Sequence, residues 1–328
     1  MKCLLFFFLI TVLSTSLHAP VATGAASIGK TIVVNPSGTG DFRSIQEAID
    51  SVPDFNNQWV KIHLASGVYR EKVVIGASKT YILLEGEGAQ KTSIEWGDYA
   101  KDSAGHDTAS CATFTSYASN IVVAGITFKN TYDGYNHMTQ AVAALISGDK
   151  SSVYSCSFIG YQDTLADLFG RHYFKGCYIQ GVTDFIFGFG QSIYEGCTIS
   201  TANSVERPGF VTAQGRGAAN DTSGFVFKWC NVTGPQSTYL GRAWGRFSRV
   251  IFYKTFMSDI IIPEGWSIWN SHGYENEITY AESECTGPGS NQSGRVKWKK
   301  ALTNDELRTF TDISYIDNEG WLSKQPQY

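Results

Sequence analysis

Along the middle of the chain, apolar residues fall in short clusters rich in Ile, Val, Phe and Tyr, with glycine and asparagine between one cluster and the next. Clusters of this length and composition predict β-strands, and the three-to-four-residue spacing of an amphipathic helix is nearly absent there. The clusters also repeat. "YSCSFIG", "KGCYIQG", "EGCTIST" and "KWCNVTG" each carry a cysteine with a β-branched or aromatic residue within two positions. Cys156, Cys177 and Cys197 lie 21 and 20 residues apart. "AGITFKN" at 124–130 and "TSIEWG" at 92–97 are weaker copies.

Self-similarity at this period predicts a solenoid. Leucine is too scarce for a leucine-rich repeat, and no L-x-x-L-x-L frame occurs. A parallel β-helix fits better, because its coils stack like residues above like at the strand spacing of about 4.8 Å. The cysteines then form an inward ladder of small side chains. Stacking at that distance also permits a disulfide, and the longer loop between Cys197 and Cys230 makes that pair the candidate bridge. The ends predict short capping helices. "DFRSIQEAID" spaces Ile45, Ala48 and Ile49 for a helix over the first coil, and Thr303 with Glu306 forms a capping box opening a late helix. No linker or break in composition divides the chain after the first residues, which predicts one domain over 27–328.

Composition adds a compartment. The chain has 328 residues, 43% hydrophobic and 17% charged, enough for a sizeable core. Lys2, an apolar run from Cys3 to Leu13 and the small residues that follow read as a secretory signal peptide over 1–26, cut near Ala22–Ser27. The run is shorter than the roughly 20 residues of a membrane span. Removing the leader takes away only Lys2, so 26 basic residues become 25 against 30 acidic, a net charge of −5. That balance argues against a nucleic-acid or membrane surface. Asn220, Asn231 and Asn291 each open a glycosylation sequon, in keeping with export.

The chemistry centres on two acids in apolar surroundings. "GVTDFIFGFG" at 181–190 puts Asp184 at the head of an aromatic run, and "GYQDTLADLFG" at 160–170 offers Asp163. Burying an unpaired charge is costly. With a coil of about 21 residues, however, Asp163 and Asp184 stack on adjacent coils. Two close carboxylates do not both ionise easily, so one keeps its proton and the other can serve as nucleophile. Gln140 lies 22 residues before Gln162, and their stacked amides could donate to an oxyanion. Spacing alone leaves a purely structural polar ladder open as well. In "YLGRAWGRF", Arg242 could grip a carboxylate and hold Asp184 ionised, which would leave the raised pKa to Asp163. Trp244 could stack on a sugar, and "PEGWSIWN" adds Trp266 and Trp269; each tryptophan could equally be core. Glu71 reads as an ion-pair partner, and the basic run "SGRVKWKK" as a solvated face. The histidines form no H-E-x-x-H frame and no C-x-x-C occurs, which lowers a zinc site; the absence of G-x-S-x-G lowers an α/β-type serine hydrolase.

"GVYREKV", "QAVA", "GYQDTL", "DFIFG" and "LGRAW", in this order, resemble the plant pectin methylesterases, carbohydrate esterases built on a right-handed parallel β-helix. The resemblance covers nearly all the chain after the leader, and it is to the shorter type, without an inhibitor-like pro-region. It implies hydrolysis of the C6 methyl esters of galacturonate units in pectin, with Asp184 as nucleophile, Asp163 as proton donor and then base, and Gln162 and Gln140 on the oxyanion. It implies substrate contacts at Arg242, Trp244 and Thr108, to which Phe187 and Trp266 are added as candidates. No metal or organic cofactor is implied. A monomer acting in the plant cell wall, inhibited one-to-one by a small helical protein, is the implied setting. Ala243 and Ala144 depart from the family's usual proline and leucine. The competing readings are a glycosidase or lyase on the same fold, or a wall-binding protein without activity.

Overall fold

The computed structural model describes residues 26–328, so the predicted leader lies outside it but for Ala26. Three parallel sheets, of ten, eight and eight strands, run along the molecule. Each complete circuit of the chain adds one strand to each sheet, and the ten-stranded sheet carries one further strand at either end, Ile28–Val34 and Thr279–Ser283; Ser151–Tyr154, Ser157–Ile159 and Leu165–Asp167 precede Arg171–Lys175, which opens the next circuit. Ser151 pairs with His172, and His172 with Ser192, so the register repeats with the period of the cysteines. The fold is the right-handed parallel β-helix expected from the repeat and the resemblance.

The interior is a set of ladders. Phe174 stacks on Tyr194 at 4.5 Å between ring centroids, Tyr194 on Phe227 at 4.6 Å, and Phe227 on Phe252 at 4.5 Å. Cys156, Cys177, Cys197 and Cys230 form a parallel inner row, all buried. Each donates its thiol to the carbonyl two residues before it, at 3.4–3.6 Å. The residue preceding each cysteine turns the corner between two sheets in the left-handed region: Ser155, Gly176, Gly196 and Trp229 have φ of 50°, 62°, 62° and 53°. A small side chain just after such a corner fills the narrow space that the turn leaves, which is why the cysteines recur there. All six described cysteines are free, so the expected Cys197–Cys230 bridge is not formed; the two thiols occupy successive rungs of the ladder.

The first helix, Ile45–Asp50, buries Ile45, Ala48 and Ile49 as predicted. Among the described residues Glu71 has no ion-pair partner. Its carboxylate accepts from the backbone N–H groups of Ile45 at 2.9 Å and Gln46 at 3.1 Å, where a helix start favours an anion. The capping box at Thr303 and Glu306 forms and opens the helix Asn304–Thr311. That helix lies along the flank of the solenoid, not across its end. Leu307, Ile316 and Trp321 cover an outer row of the ten-stranded sheet made by Tyr173, Ile193, Val226, Ile251 and Ala281. The chain then runs on until Gln325 accepts from Ser152 at 2.5 Å and Tyr328 stacks on Tyr154. One sheet thus has its outer face closed by the C-terminal segment. Asn220, Asn231 and Asn291 are all exposed. Among the described residues no helix is long and apolar enough to cross a membrane.

Candidate active site

The eight-stranded sheet from Val73–Ile75 to Trp266–Ser267 presents one aligned outer row: Val74, Thr115, Leu145, Ala166, Phe187, Ala213, Arg242 and Ser267. Most of these side chains are small or apolar, so they make a shallow floor. Just before the strands enter this sheet, Gln140 pairs with Gln162, and Gln162 with Thr183. That register sets Asp163 beside Asp184, and the Asp163 N–H donates to the Thr183 carbonyl at 3.1 Å.

Both aspartates are backbone exceptions, with φ of 60° at Asp163 and 50° at Asp184. Aspartate tolerates this region better than most residues, and strained backbone held by its surroundings concentrates at functional sites. The strand Thr183–Gly188 also bulges: Thr183 opposes Phe210 while Ile186 opposes Thr212, one residue more on the first strand than on the second. The bulge sends Phe185 fully into the core while Asp184 lines the pocket. Gly181 is required here, because a Cβ at that position would lie 2.1 Å from the Phe185 Cβ.

Arg242 meets Asp184 with two prongs. Its Nε donates to Oδ1 at 2.7 Å, and a terminal nitrogen donates to Oδ2. The guanidinium is held over two rings, 3.8 Å from the Trp269 centroid and 4.4 Å from that of Phe210, which fixes its plane. Burial pushes Asp184 above the ordinary carboxylate range, and Arg242 pulls it back without cancelling the rise. Asp163 rises further, well above the ordinary range, first because it is buried and second because Asp184 is negative. Arg242 opposes this from a greater remove. The pair therefore holds a shared proton, favouring Asp163, over a range where free carboxylates are ionised.

Around the acids lies a pocket of about 350 Å³. Gln140, Gln162, Thr108, Phe187, Trp244 and Trp269 line it together with the acids. Thr139 donates to Gln140 Oε1 at 3.4 Å, which leaves the amide hydrogens of Gln140 for a ligand. Thr108 sits on a loop anchored by His106, whose Nδ1 is 2.7 Å from Asp102 and whose Nε2 is 3.4 Å from Asp98. Sequence reading did not bring these three together. The Lys72 ammonium, 2.6 Å from Asp98, already supplies their cation, so they read as an anchor for the loop.

Of the site residues predicted from sequence, Trp266 alone is placed elsewhere. It is buried between Phe252 and Tyr280, with its indole N–H donating to Glu282 at 3.0 Å. Trp269 takes the place intended for it. The pairing of Gly241 with Trp266 and Arg242 with Ser267 explains the exchange: Trp266 faces inward, and the outward course resumes beyond it. Trp244 is 39% exposed, so its ring is available at the pocket mouth. Phe210 and Ala213 were missed, because both belong to the irregular coil after residue 202.

The Pectinesterase family model matches residues 31–319. A relative from Arabidopsis thaliana named as a pectinesterase is 46% identical over 309 residues, 92% of this chain and 89% of its own. Pectinesterase QRT1 of Arabidopsis thaliana is 39% identical over 314 residues, 93% of this chain and 82% of its own. Among solved structures, the pectin methylesterase from carrot superposes with a TM-score of 0.85 at 31% identity, over 91% of this chain and 97% of that one. A pectin methylesterase solved in complex with a hexasaccharide superposes with a TM-score of 0.78 at 25% identity, over 93% of this chain and all of that one.

Proposed function

The chain belongs to the pectinesterase family and is a carboxylic ester hydrolase acting on the methyl esters of pectin, and from that premise we propose how its own residues carry the reaction. Asp184 attacks the ester carbonyl of a methyl galacturonate unit. The amides of Gln140 and Gln162 donate to the oxyanion that forms. Asp163 gives its proton to the departing methoxide, and methanol leaves an acyl-enzyme anhydride on Asp184. Asp163, now ionised, takes a proton from water as that water attacks the acyl group. The second tetrahedral species expels the Asp184 carboxylate and frees the galacturonic acid. Arg242 orients Asp184 and stabilises it as a carboxylate at the start and end of the cycle. Thr108, Phe187, Trp244 and Trp269 hold the polymer.

One observation carries this reading: two buried aspartates on adjacent coils, one gripped by Arg242 and the other with no cation in contact among the described residues, in an open pocket beside two amides. The reading extends to secretion into the plant cell wall, with glycans at the exposed Asn220, Asn231 and Asn291. It includes action as a monomer and inhibition by a small helical protein seated over the pocket. Purified protein on highly methyl-esterified pectin tests the reaction. Methanol and acid should appear in equal amounts. New reducing ends without methanol would mean a glycosidase, unsaturated ultraviolet-absorbing ends a lyase, and no product a binding protein.

A further inference from the structure

Beside the pocket, Phe169 and Phe189, which the steps above do not use, extend the aromatic wall begun by Phe187 and Trp244. Phe169 is 61% exposed, yet its ring stacks on Phe189 at 5.2 Å between centroids and 5° between planes. Phe189 in turn packs on Trp244 at 4.8 Å, and Trp244 lies 6.3 Å from Phe187 in the pocket wall. The four rings form one stripe crossing several coils, from the Arg242 coil back to that of Asp163.

The stripe is built rigidly. A Cβ at Gly215 would lie 2.4 Å from the Phe189 ring, so bare backbone backs that ring. The N–H groups of Phe189 and Gly190 both donate to the Asp167 carbonyl at 3.0 Å. The Asp167 carboxylate is itself fixed, by His172 at 2.5 Å and by the Tyr194 hydroxyl at 2.7 Å. A large ring held in place and left in water is unusual unless something covers it.

Among the described residues, the cations lining the pocket and the cleft behind Phe169, Arg242 and Arg171, are both already paired. Arg171, in the cleft behind Phe169, is taken up by Asp149 at 2.5 Å and Glu319 at 2.7 Å. An ionised galacturonate would be desolvated there without a partner, whereas a methyl-esterified unit brings an apolar sugar face and an uncharged ester. We infer that Phe169 and Phe189 form a specificity surface for methyl-esterified units flanking the one being hydrolysed. The occupant is the substrate polymer itself, because the stripe is continuous with the catalytic pocket. The inference rests on the pectin methylesterase reading above.

The test is steady-state methanol release by wild type, Phe169→Ala and Phe169→Tyr on pectins of high and low methyl esterification. On highly esterified pectin, Phe169→Ala should raise KM about fivefold, the loss expected for about 1 kcal/mol of ring stacking. Most of the loss should fall in KM, with kcat affected less. Phe169→Tyr should restore KM, and on sparsely esterified pectin the rise should be markedly smaller. A KM unchanged on highly esterified pectin overturns the inference, as does an equal rise on both polymers. Thermal unfolding of the variants separates binding from folding, and the exposure of Phe169 predicts no loss of stability. A wild type that releases no methanol would instead sink the reading of function.

Discussion

Asp163 and Asp167 are four residues apart, both buried, and opposite in their treatment. Asp167 is fully enclosed and satisfied: His172 and the Tyr194 hydroxyl hold its two oxygens, and the other nitrogen of His172 meets the Gly148 carbonyl at 3.0 Å. Asp163 has only a carboxylate neighbour and the more distant Arg242, and its pKa is driven upward. A buried acid with all partners in place stabilises a turn. One denied partners keeps a proton that it can give away.

That contrast can be broken by substitution. Asp163→Asn should lower methanol turnover by about 10²–10⁴, the usual span for a general acid. It should also raise the melting temperature. The folded chain holds the Asp163 proton where the unfolded chain loses it, near pH 3.9. Stability therefore falls as pH rises from there toward the higher folded value, and asparagine removes this loss. The gain should be larger at pH 7 than at pH 4. Asp167→Ala should do the reverse, costing about 3–5 kcal/mol in denaturant unfolding because it strands His172. Stabilisation by the second change, or destabilisation by the first, would erase the distinction.

Next in size, Gln140→Ala should lower kcat by about 10²–10³ if its amide serves the oxyanion. A change confined to KM would make Gln140 a binding residue only.

Arg242→Ala removes the group that opposes the burial of Asp184, so the Asp184 pKa should rise further. The nucleophile must be ionised. The acid limb of the kcat/KM profile should therefore move to higher pH, with activity most reduced at low pH and partly recovered as pH increases. An equal loss at every pH would mean that Arg242 only positions.

The smallest effect belongs to the pocket mouth. Trp244→Ala should weaken binding severalfold with little change in stability, because the ring is partly exposed. Unfolding would return Trp244 to the core.

How far the sequence reached follows from the same regularity. Between residues 140 and 200 the coils run 20 to 22 residues, so spacing alone aligns Gln140 with Gln162 and Asp163 with Asp184. After residue 202, loops at 202–208 and 215–223 break the period, and Phe210, Ala213 and Trp269 could not be placed by counting. Trp266 went astray there too: it lies on the two-residue strand Trp266–Ser267 while Trp269 lies in the turn beyond, and without a known register inside and outside cannot be told apart. The flank position of the late helix was hidden for another reason. Its capping box gives a start, but only the apolar row on the ten-stranded sheet gives it a place to lie.

The account stands most directly on kcat for methanol release by Asp184→Asn, measured on highly methyl-esterified pectin with the folded state checked by its melting curve. An amide in place of the carboxylate cannot attack the ester, so a folded variant should turn over at less than about 10⁻⁴ of the wild-type rate, as in enzymes that lose a nucleophile. A folded Asp184→Asn protein that releases methanol at a rate near wild type would contradict the mechanism and make Asp184 a structural partner of Arg242.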